Sequence, residues 1–310
     1  PKKFAAVAPV CGGGKVEWTD YEAPKTASEA VSLMASHGDR AKVIAGGTDI
    51  LVNLRGGRRS TDLLVDVKEI PELNELSFSP QNGLVLGAAV PCYRIYEDQA
   101  VASAYPGLID AASLIGGIQI QGRASIGGNL CNSTPSADSI PALIAHSVTC
   151  KIAGPGGTTR EVSAEDFCTG PSQNVLKSDE ILVSLKFPPP PANFGARYLR
   201  FIPRNEMDIA VAGAGVSVVL EGDSITSARV TLASVAPIPL FVREAGEALE
   251  GKPATEESVR LASNLAQEAA QPITDMRGTA EYRKHLCEVL TRRALLTAIE
   301  RAKGGVVNAH

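Results

Sequence analysis

The sequence predicts an α+β protein in which strands and helices are mixed in the first part of the chain and segregated in the second. Short strand-like and helical segments alternate up to a run of four prolines at residues 188–191. Two long segments of small and β-branched residues follow the prolines, and helical periodicity dominates the rest. Hydrophobic residues at 44% and charged residues at 21% fit a folded globular chain and exclude disordered and fibrous classes.

The elements before the prolines are short. Residues 28–37 place their apolar side chains at helical spacing and predict a helix, and residues 41–44 form a compact apolar pattern that predicts a strand. A longer apolar segment over about residues 100–114 predicts a second helix. Further strands are predicted at residues 63–67, 83–89, 149–152 and 181–187.

Two breaks in composition divide the chain into three units, residues 1–57, 58–190 and 191–310. The first break is the polar, glycine-paired segment 56–59. The second is the proline run, because proline can neither continue a helix nor donate to an internal sheet ladder. In the last unit, residues 210–220 and 225–235 predict antiparallel strands joined by a Glu-Gly-Asp turn, and residues 255–270 and 279–302 predict helices.

Charge, apolar runs and cysteines exclude several classes of function. A formal charge of -4, with no run of lysine or arginine longer than a pair, argues against binding to nucleic acid or to an anionic membrane. No uncharged stretch reaches the roughly 20 residues of a membrane span. The six cysteines are too dispersed for a compact ligand motif, so we expect reduced thiols and no metal ligands. The apolar segment after Lys2 and Lys3 is too short for a signal peptide and favours a mobile N-terminus in a cytoplasmic protein.

The first segment that suits ligand chemistry is a strand that runs into a glycine pair and a polar helix start. Glycines allow a close backbone approach, and exposed N–H groups at a helix start can hold phosphate oxygens. A tight turn capped by Thr48 or Asp49 explains the same pattern without a ligand. Asp49 would repel a phosphate, so we expect its carboxylate to cap backbone N–H groups or to meet a hydroxyl. The candidate residues are Val43, Ile44, Ala45, Gly46, Gly47, Thr48, Asp49 and Ile50.

The second candidate segment, residues 125–138, contains a glycine pair, two amides, four hydroxyls and one carboxylate. Such a loop suits a ligand with hydroxyls and phosphates, since serine and threonine can donate to phosphate and Asp138 can accept from a sugar hydroxyl. A network of Asx and serine turns without a ligand remains the alternative. The candidate residues are Ser125, Ile126, Gly127, Gly128, Asn129, Ser133, Thr134 and Asp138.

Other motifs carry little chemistry. The Gly-Gly-Gly-Lys sequence at residues 12–15 lacks the P-loop pattern and predicts a flexible loop. Gly213-Ala214-Gly215 lacks the third glycine of a dinucleotide fingerprint and lies in a strand pattern, which favours a packing role. The four histidines are dispersed, and no GxSxG is present, so the sequence offers no obvious residues for hydrolytic catalysis.

Taken together, AGGTD at residues 45–49 and SIGGN followed by SxPxxD at residues 125–138 resemble the FAD-binding medium subunit of the molybdenum hydroxylases, a group that includes xanthine dehydrogenase and carbon monoxide dehydrogenase. The resemblance continues through FCTGP at residues 167–171, DEIL at 179–182, YLRF at 198–201, Arg204 and MDIA at 207–210. It implies a two-part FAD-binding domain of the vanillyl-alcohol oxidase type. A C-terminal domain with a small antiparallel sheet and a helical bundle would follow.

The resemblance also implies roles for residues. Residues 43–50 and 125–129 would hold the FAD diphosphate from two sides, and Asp138 would bind the sugar-alcohol part. Leu182 would bring backbone to the flavin, and Arg200 stands where some members have a lysine near the ring system. The chain departs from the family in having Ile120-Gln121-Gly122 before the second glycine loop, Ser125 in place of threonine, and Ile115 in place of an aromatic residue. These departures bear on flavin stacking and on the choice of electron acceptor.

The function implied is that of an electron-transfer flavoprotein subunit. Its partners would be a small subunit with two [2Fe-2S] clusters and a large subunit with the molybdenum-pterin cofactor, in a dimer of heterotrimers. Electrons would leave through FAD to an external acceptor, and no catalytic residue is assigned because the redox chemistry belongs to the cofactor. One alternative is a self-sufficient FAD-dependent reductase or oxidase, and another is a nucleotide-binding scaffold without flavin. The substrate of the complex and the terminal acceptor stay open.

Overall fold

The computed structural model describes residues 2–5 and 18–307, so Cys11 and the glycine-rich residues 12–15 lie outside the described residues. The first unit is a four-stranded sheet in the order β1-β2-β4-β3, with β4 parallel to β2 and β3 and with β1 antiparallel to β2. Its elements are β1 (Lys2–Ala5), β2 (Trp18–Glu22), α1 (Ala27–His37), β3 (Ala41–Ile44), α2 (Ile50–Arg55) and β4 (Leu63–Asp66).

The helix and strands predicted in this unit are confirmed. Helix α1 begins where the side chain of Thr26 accepts a hydrogen bond from the backbone N–H of Glu29, and it ends at Gly38, whose φ is 55°. One other expectation is wrong. Residues 2–5 form β1 and pair with β2 instead of a mobile N-terminus, because strand pairing satisfies their backbone groups. Strand β4 follows the break at residue 57 yet lies between β2 and β3, so the first sheet extends past that division.

The second unit is a five-stranded antiparallel sheet in the order β5-β6-β11-β7-β8, covered by short helices that share its apolar core. A separate two-stranded ribbon pairs β9 with β10. The elements are β5 (Leu76–Ser79), β6 (Gly83–Gly87), α3 (Cys92–Glu97), α4 (Gln99–Ala104), α5 (Pro106–Ala112), α6 (Ile118–Gln121), α7 (Ile126–Asn132), α8 (Ser139–Ala145), β7 (Thr149–Ala153), β8 (Thr159–Ser163), α9 (Ala164–Phe167), β9 (Cys168–Gly170), β10 (Gln173–Asn174) and β11 (Ile181–Phe187).

The single helix predicted over about residues 100–114 is instead two helices, α4 and α5. Asp98 caps the first by accepting from the N–H groups of residues 100 and 101. Tyr105 then leaves the helical region at φ -129° and ψ 60°, because it precedes Pro106, and proline disfavours the α conformation in the residue before it. The proline starts α5, where its missing N–H costs nothing.

The third unit begins beyond the proline run and is a four-stranded antiparallel sheet in the order β12-β13-β14-β15, packed against long helices. The predicted helices are confirmed, and the side chains of Thr255 and Thr279 cap their first turns. No helix within the described ranges has the length and apolar composition needed to cross a membrane. The elements are β12 (Phe194–Phe201), β13 (Ala212–Glu221), β14 (Ser224–Ala233), β15 (Leu240–Phe241), α10 (Arg243–Glu247), α11 (Glu256–Ala269) and α12 (Ala280–Ala302).

A buried carboxylate joins the second unit to the third. Asp110 in α5 is 1% exposed and accepts from Arg197 in β12 at 2.9 Å, from Arg301 in α12 at 2.7 and 3.0 Å, and from the backbone N–H of Tyr198 at 3.1 Å. Removal of one partner from such a cluster leaves a buried charge uncompensated and costs about 3–5 kcal/mol. Asp110 therefore fixes β12 against the second unit. The α+β class predicted from the sequence is confirmed.

Candidate functional site

A cavity of about 630 Å³ lies where the loop after β3, helix α7, the start of β11 and the end of β12 meet. Most of the residues singled out in the sequence line it. They are Val43, Ala45, Gly46, Gly47, Thr48, Asp49, Ile50, Ser125, Gly127, Gly128, Asn129, Thr134, Asp138, Leu182 and Arg200. Ile44, Ile126 and Ser133 do not line the cavity. The fold thus brings two loops that are distant in sequence to one space.

The first loop packs directly against the backbone that precedes α7. A Cβ at Gly46 would overlap the carbonyl group of Arg123, and the Nε of Arg123 donates to the carbonyl oxygen of Gly46 at 3.4 Å. Gly47 has a φ of 80°, a conformation that favours glycine. Gly46 therefore permits close contact between two protein segments, and it also lines the cavity.

Asp49 does not cap a helix, so the first of the two roles expected for its side chain is wrong. It is the N-cap residue of α2, but its carboxylate accepts no hydrogen bond from that helix. Instead Oδ2 accepts from the side-chain amide of Asn132 at 2.7 Å, and this bond connects the first loop to the end of α7. Asn132 lines the cavity although the sequence analysis did not select it.

The two glycines of helix α7 both line the cavity, but a side chain at each would meet different surroundings. Ser125 caps the helix, because its Oγ accepts from the N–H of Gly128 at 3.0 Å. A Cβ at Gly127 would overlap the carbonyl group of Ala88, so this glycine allows close packing. A Cβ at Gly128 would meet only the Oγ of Ser125, at 3.1 Å. Gly128 is therefore the position at which a backbone approaches the cavity without a protein group in between.

The end of the second loop has partly structural roles. The side-chain oxygen of Asn129 accepts from the hydroxyl of Ser139 at 2.6 Å and from its N–H at 3.3 Å, which fixes the start of α8. Ser133 was predicted as a phosphate donor, but it is fully buried and its hydroxyl donates to the carbonyl oxygen of Leu130 at 2.8 Å. Thr134 does line the cavity. Ile44 and Ile126, also predicted as site residues, are buried in the protein core.

A buried ion pair forms one wall of the cavity. Asp138 accepts from Arg200 at 2.6 Å, and the side chains of Asp138 and Arg200 are only 10% and 5% exposed. The hydroxyl of Tyr198 donates to the other oxygen of Asp138 at 2.8 Å. Burial raises the pKa of Asp138 to about 6, although Arg200 and Tyr198 both oppose this rise. The Nε of Arg200 is buried and has no hydrogen-bond partner within the described residues.

Apolar residues supply part of the remaining walls. Leu182 lies at the start of β11, next to a register shift in the pairing of β11 with β7, and Ile115 is 7% exposed at the cavity. Bulges of this kind re-aim side chains beside binding sites. Gln121, one of the departures from the family, does not line the cavity: its amide donates to the carbonyl of Ser113 at 2.8 Å and accepts from the hydroxyl of Tyr96 at 3.2 Å.

A segment before β11 also reaches the cavity, and the sequence analysis did not assign it to the site. Lys177 and Ser178 line the cavity there. The fold of this segment depends on Glu180, which accepts from the guanidinium of Arg160 at 2.9 and 2.7 Å and from the N–H of Lys177 at 2.9 Å. The hydrogen bonds from Arg160 lower the pKa of Glu180. A lone lysine and serine in a loop give no signal in a sequence, because their position depends on this distant arginine.

The cavity fits an elongated cofactor with both a ring system and phosphates. Its volume is within the 300–1,000 Å³ range of small-molecule sites, and its apolar walls are combined with hydroxyl, amide, cationic and carboxylate groups. The open side of Gly128 and the unpartnered Nε of Arg200 are places where a ligand can approach the backbone and satisfy a donor. The residues present therefore fit FAD.

Comparison with known proteins identifies the family. Residues 15–190 match the family described as the FAD binding domain in molybdopterin dehydrogenase, and residues 197–298 match the CO dehydrogenase flavoprotein C-terminal domain. The chain is 31% identical to the carbon monoxide dehydrogenase medium chain of Afipia carboxidovorans, over 92% of this chain and 98% of that protein. It is 29% identical to the xanthine dehydrogenase FAD-binding subunit of Escherichia coli O157:H7, over 93% of this chain and 98% of that protein.

A solved structure shows the same architecture. The structure of carbon monoxide dehydrogenase from Hydrogenophaga pseudoflava, in a form that lacks the Mo-pyranopterin moiety of its molybdenum cofactor, contains a chain that is 31% identical to this one, with a TM-score of 0.87. The match covers 91% of this chain and 98% of that one. The sequence-based resemblance is confirmed, and so is the order of an FAD-binding domain followed by a C-terminal domain. The chain therefore belongs to the FAD-binding medium subunits of the molybdenum hydroxylases, a family of oxidoreductases.

Proposed function

We propose that this chain holds FAD in the cavity between its two glycine loops so that electrons from the [2Fe-2S] clusters of a small partner subunit pass to an external acceptor. A large partner subunit with the molybdenum-pterin cofactor would oxidise the substrate, and the three chains would assemble as a dimer of heterotrimers. The observation that carries the proposal is the cavity shared by both loops in a chain of this family. Bound FAD would supply the ability to accept and release electrons one or two at a time.

The side chains around the cavity are suited to binding rather than to acid–base catalysis. Burial raises the pKa of the Cys131 thiol to about 12, so this cysteine is not a nucleophile near neutral pH. Among the described residues that line the cavity there is no histidine. Asp138 is engaged by Tyr198 and Arg200. These residues can hold and orient a cofactor, and electron transfer needs no proton donor from them.

Exposed apolar side chains beside the cavity support a partner subunit. Met207 and Ile209 line the cavity while their exposed fractions are 50% and 48%. Ile118 is 73% exposed and follows Gly117, where a Cβ would lie 3.1 Å from the Sδ of Met207. Apolar residues that stay exposed together are typical of surfaces that another chain covers.

The test is to purify the protein natively and to record its absorbance spectrum, its metal content and the masses of all chains that accompany it. FAD together with an iron–sulfur chain and a molybdenum-containing chain supports the proposal. A single yellow chain that a small donor reduces without partners would instead establish the self-sufficient reductase or oxidase. A colourless chain that binds nucleotide but no flavin would establish a scaffold.

A second experiment examines the direction of electron flow. In a complex assembled with a medium subunit that has lost FAD, reduction of the external acceptor should stop. Substrate should still reduce the clusters of the small subunit, which is visible by electron paramagnetic resonance. Continued reduction of the acceptor at the wild-type rate would contradict the proposed route.

A further inference from the structure

Tyr198 is fixed at both ends between two buried carboxylates. The residue is 1% exposed and lies in β12. Its backbone N–H donates to Oδ2 of Asp110 at 3.1 Å, and its hydroxyl donates to Oδ1 of Asp138 at 2.8 Å. Asp110 belongs to α5 and Asp138 precedes α8, so the backbone and the side chain of one residue together connect two elements of the second unit. Neither the backbone nor the hydroxyl of Tyr198 can move without loss of a charge-assisted hydrogen bond.

The neighbouring strand leaves room for this hydroxyl. Gly213 in β13 pairs with Arg200, and a Cβ on Gly213 would lie 2.7 Å from the hydroxyl oxygen of Tyr198. The absence of a side chain at residue 213 therefore lets the tyrosine reach Asp138. This agrees with the packing role predicted for the Gly213-Ala214-Gly215 sequence.

The carboxylate of Asp138 has a separate partner on each oxygen. Oδ1 accepts from Tyr198, and Oδ2 accepts from Arg200 at 2.6 Å. Asp138 and Arg200 line the cavity, whereas Tyr198 does not. Because the hydroxyl holds Oδ1, it sets the orientation in which Oδ2 faces the guanidinium. It also stabilises the ionised carboxylate, whose negative charge compensates Arg200.

We propose that Tyr198 is a positioning residue that holds the Asp138–Arg200 ion pair in the orientation that faces the bound cofactor and so sets the charge that the cofactor meets. This inference rests on the proposed placement of FAD in the cavity. Without the hydroxyl, the carboxylate compensates Arg200 less completely. Added negative charge on the cofactor is then stabilised, and the midpoint potential of bound FAD rises.

The test is Tyr198→Phe in the full chain, with Tyr105→Phe as the matched control. Tyr105 is equally buried and loses one hydrogen bond of similar length, to the uncharged carbonyl oxygen of Pro188 at 2.9 Å, but it does not line the cavity or contact Asp138. We expect Tyr198→Phe to weaken FAD binding by about fivefold to tenfold, as expected for one hydrogen bond. Its FAD should have a more positive midpoint potential in spectroelectrochemical titration, whereas the control should keep the wild-type potential.

Asp138→Asn shows whether Tyr198 acts through the carboxylate. By itself this variant should shift the potential in the same positive direction, and it provides the measurement if Tyr198→Phe does not fold. In the double variant, the loss of the hydroxyl should cause no further shift. Two outcomes would overturn the inference and leave the proposed function intact. In the first, Tyr198→Phe shifts the midpoint potential of FAD equally in the wild type and in Asp138→Asn. In the second, Asp138→Asn keeps the wild-type potential. A wild-type chain that binds no FAD would overturn both.

Discussion

The substitution Gly128→Ala separates the fold from the binding site, because we expect it to lower FAD affinity much more than it changes stability. Gly128 lies inside α7, where alanine is favoured over glycine by up to about 1 kcal/mol. Outside the helix backbone, the new Cβ would meet only the Oγ of Ser125, at 3.1 Å, and this close contact reduces the gain. The free energy of unfolding of the apo-protein should therefore change by at most about 1 kcal/mol.

The same methyl group enters the cavity. Insertion of one carbon into a closely packed site costs about 1–3 kcal/mol, which corresponds to a roughly tenfold to hundredfold loss of affinity. FAD should therefore dissociate more readily from a protein that is as stable as the wild type. A larger β-branched side chain at this position should abolish binding, because its additional carbons extend further into the same space.

Affinity is measured by titration of the apo-protein with FAD, followed by fluorescence, and stability by urea unfolding of the same samples. Gly122→Ala is the control, because a Cβ there has no neighbour within 4 Å and the residue does not line the cavity. Wild-type affinity in Gly128→Ala would refute the view that α7 faces the cofactor. A urea midpoint of the apo-variant far below that of the wild type would instead refute the packing argument.

Three other substitutions test separate parts of the site and its support. Gly46→Ala should destabilise the apo-protein by about 1–3 kcal/mol, since its Cβ overlaps the carbonyl of Arg123, and a wild-type urea midpoint would contradict this packing. Asp49→Ala removes the acceptor for Asn132 at an exposed position, so the free energy of unfolding should fall by less than about 1 kcal/mol. FAD should dissociate faster from this variant in stopped-flow fluorescence. An unchanged dissociation rate would show that this bond does not hold the loops around FAD. Burial lowers the pKa of His146 from 6.5 to about 4, so the unfolded chain takes up a proton that the folded chain does not, and stability falls as the pH decreases through this window. The free energy of unfolding, measured with urea, should therefore fall between pH 7 and pH 5 by about 2 kcal/mol less in His146→Phe than in the wild type. Equal decreases would assign the effect to other groups.

Local signals were sufficient to predict the long helices of the third unit. Both helices begin at a threonine whose side chain caps the first turn, and both continue for several turns with alanine and leucine at helical spacing. The break between α4 and α5 also has a local cause, in Pro106, which the apolar pattern over about residues 100–114 concealed. Here the error came from giving periodicity more weight than proline chemistry.

Strand β12 was not predicted because its stability depends on residues far away in the sequence. Arg197 and Arg200 interrupt its apolar pattern, and two arginines in a short segment indicate exposure. In the structure each guanidinium is buried against a carboxylate from the second unit, Asp110 for one and Asp138 for the other. Such compensation is a tertiary property that a single sequence does not reveal. The same limit applies to Ser133, whose type suits phosphate but whose hydroxyl is used by the backbone.

The two residues of each glycine pair have different constraints, which a sequence pattern alone does not separate. In both glycine pairs the first residue, Gly46 or Gly127, contacts protein backbone that would clash with any side chain. The second residue has a different constraint: Gly47 needs a positive φ, and Gly128 opens to the cavity. Contact between protein segments therefore shapes part of the cavity walls. If FAD binds only the folded chain, it stabilises that state by mass action, so the melting temperature should rise with the concentration of free FAD.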